Sequence, residues 1–157
     1  MDKSSTKVMF SNKSDEWDTP QDFYDMLDEK YNFTLDPCAS ATSAKCPVFF
    51  TEDMDGLSRS WKGHTVFVNP PYSDVKGWAK KCYEESKEDD TMTVMLIPSR
   101  TDTKYFNDFV MLATKIYFVR GRLKFGNQKN CAPFPSMVVE FDGTREGPLV
   151  CETLERR

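Results

Sequence analysis

Asn69-Pro70-Pro71-Tyr72 gathers groups that can do chemistry. The hydrophobic run Thr65-Val66-Phe67-Val68 before it reads as a buried strand, and a helical pattern follows. A strand ending this way sets a side-chain amide and a bare carbonyl beside a flat ring. The Asn69 side-chain oxygen and the Pro70 carbonyl can each accept one hydrogen of a planar exocyclic amine. Such an amine, adenine's for example, is a poor nucleophile because its lone pair is delocalised into the ring. Two acceptors at fixed positions favour a pyramidal nitrogen and free the lone pair to attack a delivered methyl group. This is electrostatics preorganised at the reacting atom. Proline has no N–H to compete, so Pro70 and Pro71 stiffen the turn and leave carbonyls available. Tyr72 can stack on the ring. The same four residues also read as a strand capped by a diproline turn with no chemical role, and a four-residue match does not choose between the two.

The elements that must position this turn follow from patterning. Thr19-Pro20 reads as a helix start, with Thr19 at the N-cap and Pro20 in the first turn. Phe23, Tyr24, Leu27 and Tyr31 then recur at helical spacing. Residues 33–35 read as a strand ending at Asp36-Pro37, and residues 48–51 as a second short strand. Residues 38–47 and 52–64 are loop-like. A helix is expected over 74–87, with Val75, Trp78, Ala79, Cys82 and Tyr83 on one face. Residues 93–97 form a strand stopped by Pro98. Residues 102–112 form a helix with Tyr105, Phe106, Phe109 and Leu112 inward. Strands follow at 116–119 and 136–141, and residues 122–125 extend the first of these or pair with it. Strands alternating with helices predict an α/β fold with a mostly parallel twisted sheet. The last two strands, joined by a loop, predict an antiparallel pair on one edge. Ligands of such sheets bind beyond the carboxyl ends of the strands. Asp36 and Asn69 both stand at such ends, so neighbouring strands would open both into one crevice.

Composition narrows the class. The 157 residues suit one core. Residues 1–14 read as a loose N-terminus, 15–142 as the folded domain and 143–157 as a charged tail. No apolar run is long enough to span a membrane, and the first residues lack a signal region; a cytoplasmic protein is expected. Five scattered cysteines form no CxxC pair and His64 is the single histidine, so no metal site is expected. The net charge of −4 argues against a generic nucleic-acid coat. Its distribution says more. No acidic residue lies between Asp108 and Glu140, a stretch that carries Lys115, Arg120, Arg122, Lys124 and Lys129. This stretch reads either as a phosphate-contacting segment or as a solvated strand edge whose lysines deter aggregation.

An ordered set of short motifs surrounds the turn. Trp17-Asp18-Thr19-Pro20, Leu35-Asp36-Pro37-Cys38-Ala39-Ser40, Asp55-Gly56-Leu57 and Trp61 precede it. Ile97-Pro98-Ser99-Arg100-Thr101-Asp102, Gly121-Arg122-Leu123-Lys124-Phe125-Gly126 and Ala132-Pro133-Phe134-Pro135-Ser136 follow. Over about residues 15–142 the chain resembles the phage-type DNA N6-adenine methyltransferases, which use S-adenosyl-L-methionine and have a Rossmann-like fold.

The resemblance implies roles. Asn69, Pro70, Pro71 and Tyr72 would form the catalytic pocket for an adenine flipped out of DNA. Trp17, Thr19, Pro20, Asp36, Pro37, Cys38, Glu52, Asp55 and Asn69 would hold the cofactor. Asp36 would meet the methionine ammonium, and Thr19 with nearby N–H groups the carboxylate. Glu52 or Asp53 would take the ribose hydroxyls and Asp55 the adenine amine, though each acid also reads as a solvated loop charge. Arg100, Lys104, Arg122 and Lys124 would contact DNA, with Arg120 a further candidate. Phe134, or Phe125, would lie against the other face of the base, and both also suit an ordinary core. Many relatives have a glycine-rich turn after the first strand, where this chain has Cys38-Ala39-Ser40-Ala41. Two other readings stay open at this level. One is a methyltransferase acting on RNA or a protein glutamine. The other is a cofactor-dead binder of DNA or a host protein. Oligomeric state is not legible.

Overall fold

The computed structural model describes residues 18–40, 42–126 and 129–156. Trp17 and residues 1–14 fall outside them. Helix α1 (Gln21–Tyr31) buries Phe23, Tyr24 and Leu27, three of the four aromatic and aliphatic positions that its spacing singles out. Asn32 ends it in the left-handed conformation (φ 56°) and returns its N–H to the Asp28 carbonyl at 2.8 Å. Asparagine tolerates this conformation better than most side chains. Strands β1 (Leu35–Asp36), β2 (Val48–Phe49) and β3 (Thr65–Val68) follow, then helix α2 (Val75–Glu85) and strand β4 (Met92–Pro98). Asp74 caps α2 by accepting the Gly77 N–H at 3.0 Å. The short helix α3 (Lys104–Asp108) leads to β5 (Lys115–Val119), β6 (Ser136–Asp142) and β7 (Val150–Leu154).

The seven strands form one sheet in the order β2-β1-β3-β4-β6-β5-β7. β1 to β4 run parallel to one another, and β7 runs parallel to β5. β6 is antiparallel to both β4 and β5. The mostly parallel α/β sheet and the antiparallel β5–β6 pair are therefore present, but the pair does not form the edge. β6 returns between β4 and β5 and is paired on both sides, which buries every residue from Ser136 to Phe141. The edge belongs to β7, in the segment expected to be a tail. Four of its five residues are exposed, so no apolar alternation marks it as a strand.

Each face of the sheet carries its own core. On one side Phe23, Tyr24 and Leu27 of α1 pack with Phe33, Phe67, Leu96, Val138, Phe125 and Phe134. On the other side Val75, Trp78, Ala79 and Cys82 of α2 pack with Leu35, Val66, Val68, Met95, Ile97 and Met137. Leu112, expected inward, is 51% exposed, and Val110 is buried instead. The helix breaks at Phe109 (φ −126°) and resumes as a single 3-10 turn, Val110–Leu112, which rotates the apolar face. Among the described residues no helix is long and apolar enough to cross a membrane.

Candidate active site

β1 and β3 are adjacent and parallel, with Leu35 opposite Val66. From β1 the chain goes outward to β2, then crosses back to place β3 on the other side. Their carboxyl ends thus form a topological switch point, where open α/β sheets leave a crevice. Asp36 and Asn69 stand at its two lips, and the start of α1 closes it from one face.

Asn69 donates its amide Nδ2 to the Thr19 hydroxyl at 3.0 Å. This bond turns the amide so that its oxygen points away from Thr19. Thr19 is buried, 4% exposed, and it is not the cap of α1. Pro20 occupies the N-cap position with non-helical ψ of 133°, and among the described residues no side chain caps the helix. Thr19 therefore lies one residue outside the helix, and its hydroxyl meets Asn69 in place of the first-turn N–H groups. Having accepted from Asn69, it keeps its own proton to donate. The Gly126 N–H binds the Asp18 carbonyl at 2.8 Å and so ties the segment after β5 to the same lip.

Asp36 is 5% exposed. Its carboxylate accepts the Cys38 N–H at 3.3 Å and the Lys45 N–H at 3.2 Å. Burial raises its pKa to about 6, against the opposing pull of those two N–H groups and the Lys45 ammonium; the nearby Asp18 charge raises it further. The turn after Asp36 has no glycine, and a glycine elsewhere permits it. A Cβ on Gly56 would stand 2.1 Å from the Pro37 carbonyl oxygen. Trp61 is fully buried beneath, donates Nε1 to the Gly56 carbonyl at 3.0 Å and stacks on Trp78 with centroids 6.2 Å apart. Gly56 and Trp61 support the Asp36-Pro37 turn from below, a role that sequence reading did not assign. Cys38 is half-buried and Pro37 buried within that turn. Glu52, Asp53 and Asp55 are exposed just beyond β2.

After Asn69 the chain makes a 3-10 turn, Tyr72–Asp74, in which the Pro71 carbonyl accepts the Asp74 N–H at 3.1 Å. Among the described residues no backbone N–H is directed at the Pro70 carbonyl. Tyr72 meets Phe134 edge to face at 5.3 Å, and Phe134 lies 5.9 Å from Phe125. The Arg100 guanidinium sits 6.0 Å from the centre of the Phe134 ring. Tyr72 is buried enough that its hydroxyl pKa is raised, with Tyr105 adding to the effect and Arg100 opposing it. Tyr105 donates to the Pro98 carbonyl at 2.8 Å, and the Ser99 N–H binds the Pro135 carbonyl at 2.8 Å, which draws the end of β4 to the start of β6. The Asn69–Tyr72 turn, Arg100 and Phe134, far apart in sequence, thus meet at one end of the sheet. Phe134 is 6% exposed and Phe125 fully buried, so both also serve the core.

The basic segment divides. Lys115 pairs with Glu152 at 3.0 Å and Arg120 with Glu155 at 3.0 Å, both partners coming from β7 or just after it. Arg122 and Lys124 are exposed, and Arg122 donates to the Ala132 carbonyl at 3.4 Å. Residues 122–125 form no strand; Leu123 accepts the Ala132 N–H at 2.7 Å. Lys104 is exposed at the start of α3.

A family model described as DNA N-6-adenine-methyltransferase (Dam) matches residues 4–140. The chain is also similar to a DNA N-6-adenine-methyltransferase of Haemophilus phage HP1, 29% identical over 150 residues, which cover 90% of this chain and 85% of that protein. It is similar to another protein of that name from Escherichia phage T1, 30% identical over 111 residues, which cover 69% of this chain and 46% of the relative. With the matched model covering most of the chain, the protein belongs to the DNA N-6-adenine-methyltransferase family.

Proposed function

We propose that the β1–β3 crevice brings S-adenosyl-L-methionine and a flipped adenine of DNA together, and that Asn69 and Pro70 hold the amine that is methylated. Membership of the family makes the chain an adenine-specific DNA methyltransferase and requires a methyl donor. The donor's identity, the flipping and the roles below are our reading.

The residues present suit this cofactor. Asp36 is a buried carboxylate braced by two N–H groups and raised to a pKa of about 6. A carboxylate held at that cost is ready for an incoming ammonium, here that of the methionine moiety. Thr19 keeps a hydroxyl proton for the methionine carboxylate while it orients Asn69. Glu52 or Asp53 takes the ribose hydroxyls and Asp55 the cofactor's adenine amine. Pro20, Pro37 and Cys38 shape the walls, and Trp17 completes the set by family resemblance. When bound, the cofactor supplies an electrophilic methyl on sulfonium sulfur.

The chain's own work is positioning. The Asn69 amide oxygen and the Pro70 carbonyl accept the two N6 hydrogens and direct the nitrogen lone pair outward. Pro71 stiffens the turn, and Tyr72 stacks on the base. Phe134, already in contact with Tyr72, closes the other side of the pocket. Fixing both reactants in line supplies much of the rate. The amine sheds its extra proton after attack, so no general base is assigned. Arg100, Lys104, Arg122 and Lys124 contact phosphates around the extruded nucleotide. The chain acts in the cytoplasm, that of the bacterial host if it is phage-encoded.

The observation that carries this reading is the Thr19–Asn69 hydrogen bond at the switch point beside Asp36. It links the cofactor-side and base-side residues through one contact. Incubation with tritiated S-adenosyl-L-methionine and adenine-containing DNA, followed by digestion to nucleosides, tests it. Label is expected in N6-methyladenosine and is expected to vanish in Asn69→Ala. Label on RNA or on protein glutamine in place of DNA would refute the assignment of substrate.

A further inference from the structure

Ser136 is 1% exposed, and among the described residues its hydroxyl has no hydrogen-bond partner. Folded proteins seldom leave a buried hydroxyl unmatched, and an exception calls for a reason. Its position supplies one. Along β6 the side chains alternate: Met137, Val139 and Phe141 join the α2 core, while Val138 joins the α1 core. Ser136 therefore shares the α1 face with Val138, and that face also holds Phe125, Phe134 and the Thr19–Asn69 contact. Glu140, on the same face of β6, also has a buried oxygen without a partner, but its other oxygen binds the Tyr31 hydroxyl at 2.6 Å at the far end of the strand. Ser136 stands at the end where the pocket is.

The register sets the spacing. Ser136 pairs with Pro98 at the carboxyl end of β4, and Val68 pairs with Met95. Asn69 is then two strands from Ser136 and about two residues lower, a separation of about 12 Å between Cα atoms at ordinary strand spacing and rise. With both side chains reaching inward, a purine ring with a hydrogen bond at each edge bridges such a gap. Phe134 is two residues before Ser136, and its ring lies 5.3 Å from that of Tyr72.

We infer that Ser136 is a base-recognition residue: its hydroxyl donates a hydrogen bond to a ring nitrogen of the flipped adenine, on the side away from N6. The inference rests on the base-pocket reading above. Asn69 and Pro70 recognise an amine, which cytosine also carries; a donor to a purine ring nitrogen adds a test of ring identity. The base parts Tyr72 from Phe134, whose rings meet edge to face at 5.3 Å, and its ring nitrogen then meets the Ser136 hydroxyl. Groups that hydrogen-bond only to the right substrate discriminate strongly because the wrong one leaves them unpaired.

The test uses a DNA duplex that the wild-type protein methylates, with 1-deaza-, 3-deaza- or 7-deazaadenine placed at the target. For wild type, kcat/KM is expected to fall about tenfold on 3-deazaadenine relative to the other two, because N3 is the ring nitrogen on the side away from N6. Ser136→Ala is expected to lose about tenfold on adenine and nothing further on that same analogue, while Ser136→Thr restores the preference. Ser136→Ala is expected to melt no lower than wild type, since it deletes an unmatched hydroxyl. If it melts lower, Ser136→Cys serves for the same comparison. Wild-type activity of Ser136→Ala on adenine, or equal analogue penalties in both proteins, would overturn the inference and leave the base pocket standing. Full N6 labelling in an Asn69→Ala control would overturn the base pocket itself.

Discussion

Replacing Asp36 by asparagine removes a charge that β1 buries at its tip. In the wild type, burial raises the carboxyl from an ordinary 3.8 to about 6, so the folded state resists its ionisation. At about 1.4 kcal/mol per tenfold change, this makes the ionised form about 3 kcal/mol costlier in the folded protein than in the unfolded chain. The sign follows from proton binding. The folded state binds the proton more tightly, so the penalty is absent below 3.8, grows between 3.8 and 6, and is complete above 6. Asparagine escapes it but turns one donor toward the Cys38 and Lys45 N–H groups, where the carboxylate offered two acceptors. One lost acceptor costs about 1–2 kcal/mol. Asp36→Asn is therefore expected to be about 1–2 kcal/mol more stable than wild type at pH 8, a rise of roughly 3–6 °C in melting temperature for a chain of this size. By pH 4 the penalty falls below the cost of the lost acceptor, so the sign should reverse and the variant should be about 1 kcal/mol less stable than wild type. Cofactor binding should move the other way. Without a carboxylate to meet the ammonium, affinity should fall about 30- to 100-fold at pH 8, the scale of a charge-assisted hydrogen bond in a buried site. Wild-type affinity should be level above pH 6 and weaken as Asp36 is protonated below it, while the variant should show no such slope. Thermal melts at pH 8 and 4, with calorimetric titration of S-adenosyl-L-methionine across the same range, read all of this. A variant that is less stable at pH 8, with cofactor affinity unchanged and no pH slope in wild type, would refute both the burial argument and the assignment of Asp36.

Two further outcomes are expected from other parts of the molecule. Gly56→Ala should cost about 3 kcal/mol or more, the upper end of overpacking, because its Cβ would stand 2.1 Å from the Pro37 carbonyl; a melting temperature within 2 °C of wild type would show that the turn relaxes freely. Arg122→Ala and Lys124→Ala should each weaken DNA binding at every sequence and reduce the salt slope of log K by about one, whereas Arg120→Ala, whose guanidinium is already paired with Glu155, should change it less; fluorescence anisotropy at several salt concentrations separates these, and an equal slope change for all three would refute the division.

The sequence by itself determined the local parts of this protein. Proline removes an N–H and restricts φ wherever it occurs, so Asp36-Pro37 and Asn69-Pro70-Pro71 announce strand ends without help from the fold. Apolar spacing in α1, α2, β3 and β4 reports burial directly, because each element turns one stripe or both faces to the core. The ordered motifs carried the family, and their order along the chain needs no coordinates. What depends on partners distant in sequence was decided only by the tertiary structure. Thr19 reads as a helix cap from its neighbours, and only the approach of β3 gives its hydroxyl the Asn69 amide. β6 lies between β4 and β5 because the connection from β4 through α3 places β5 one strand position away and leaves a gap that β6 fills, a choice no local pattern encodes. β7 shows no apolar alternation because most of it faces solvent, yet β7 and the residue after it supply the acids that neutralise Lys115 and Arg120. Gly56 and Trp61 looked like motif letters; their work is to let one backbone segment lie against another. Ser136 stood in a motif with no role, and only burial together with cross-strand register gives its hydroxyl something to recognise. Periodicity and proline act through the chain's own neighbours, whereas hydrogen-bond pairing and charge neutralisation depend on which strands the fold sets side by side.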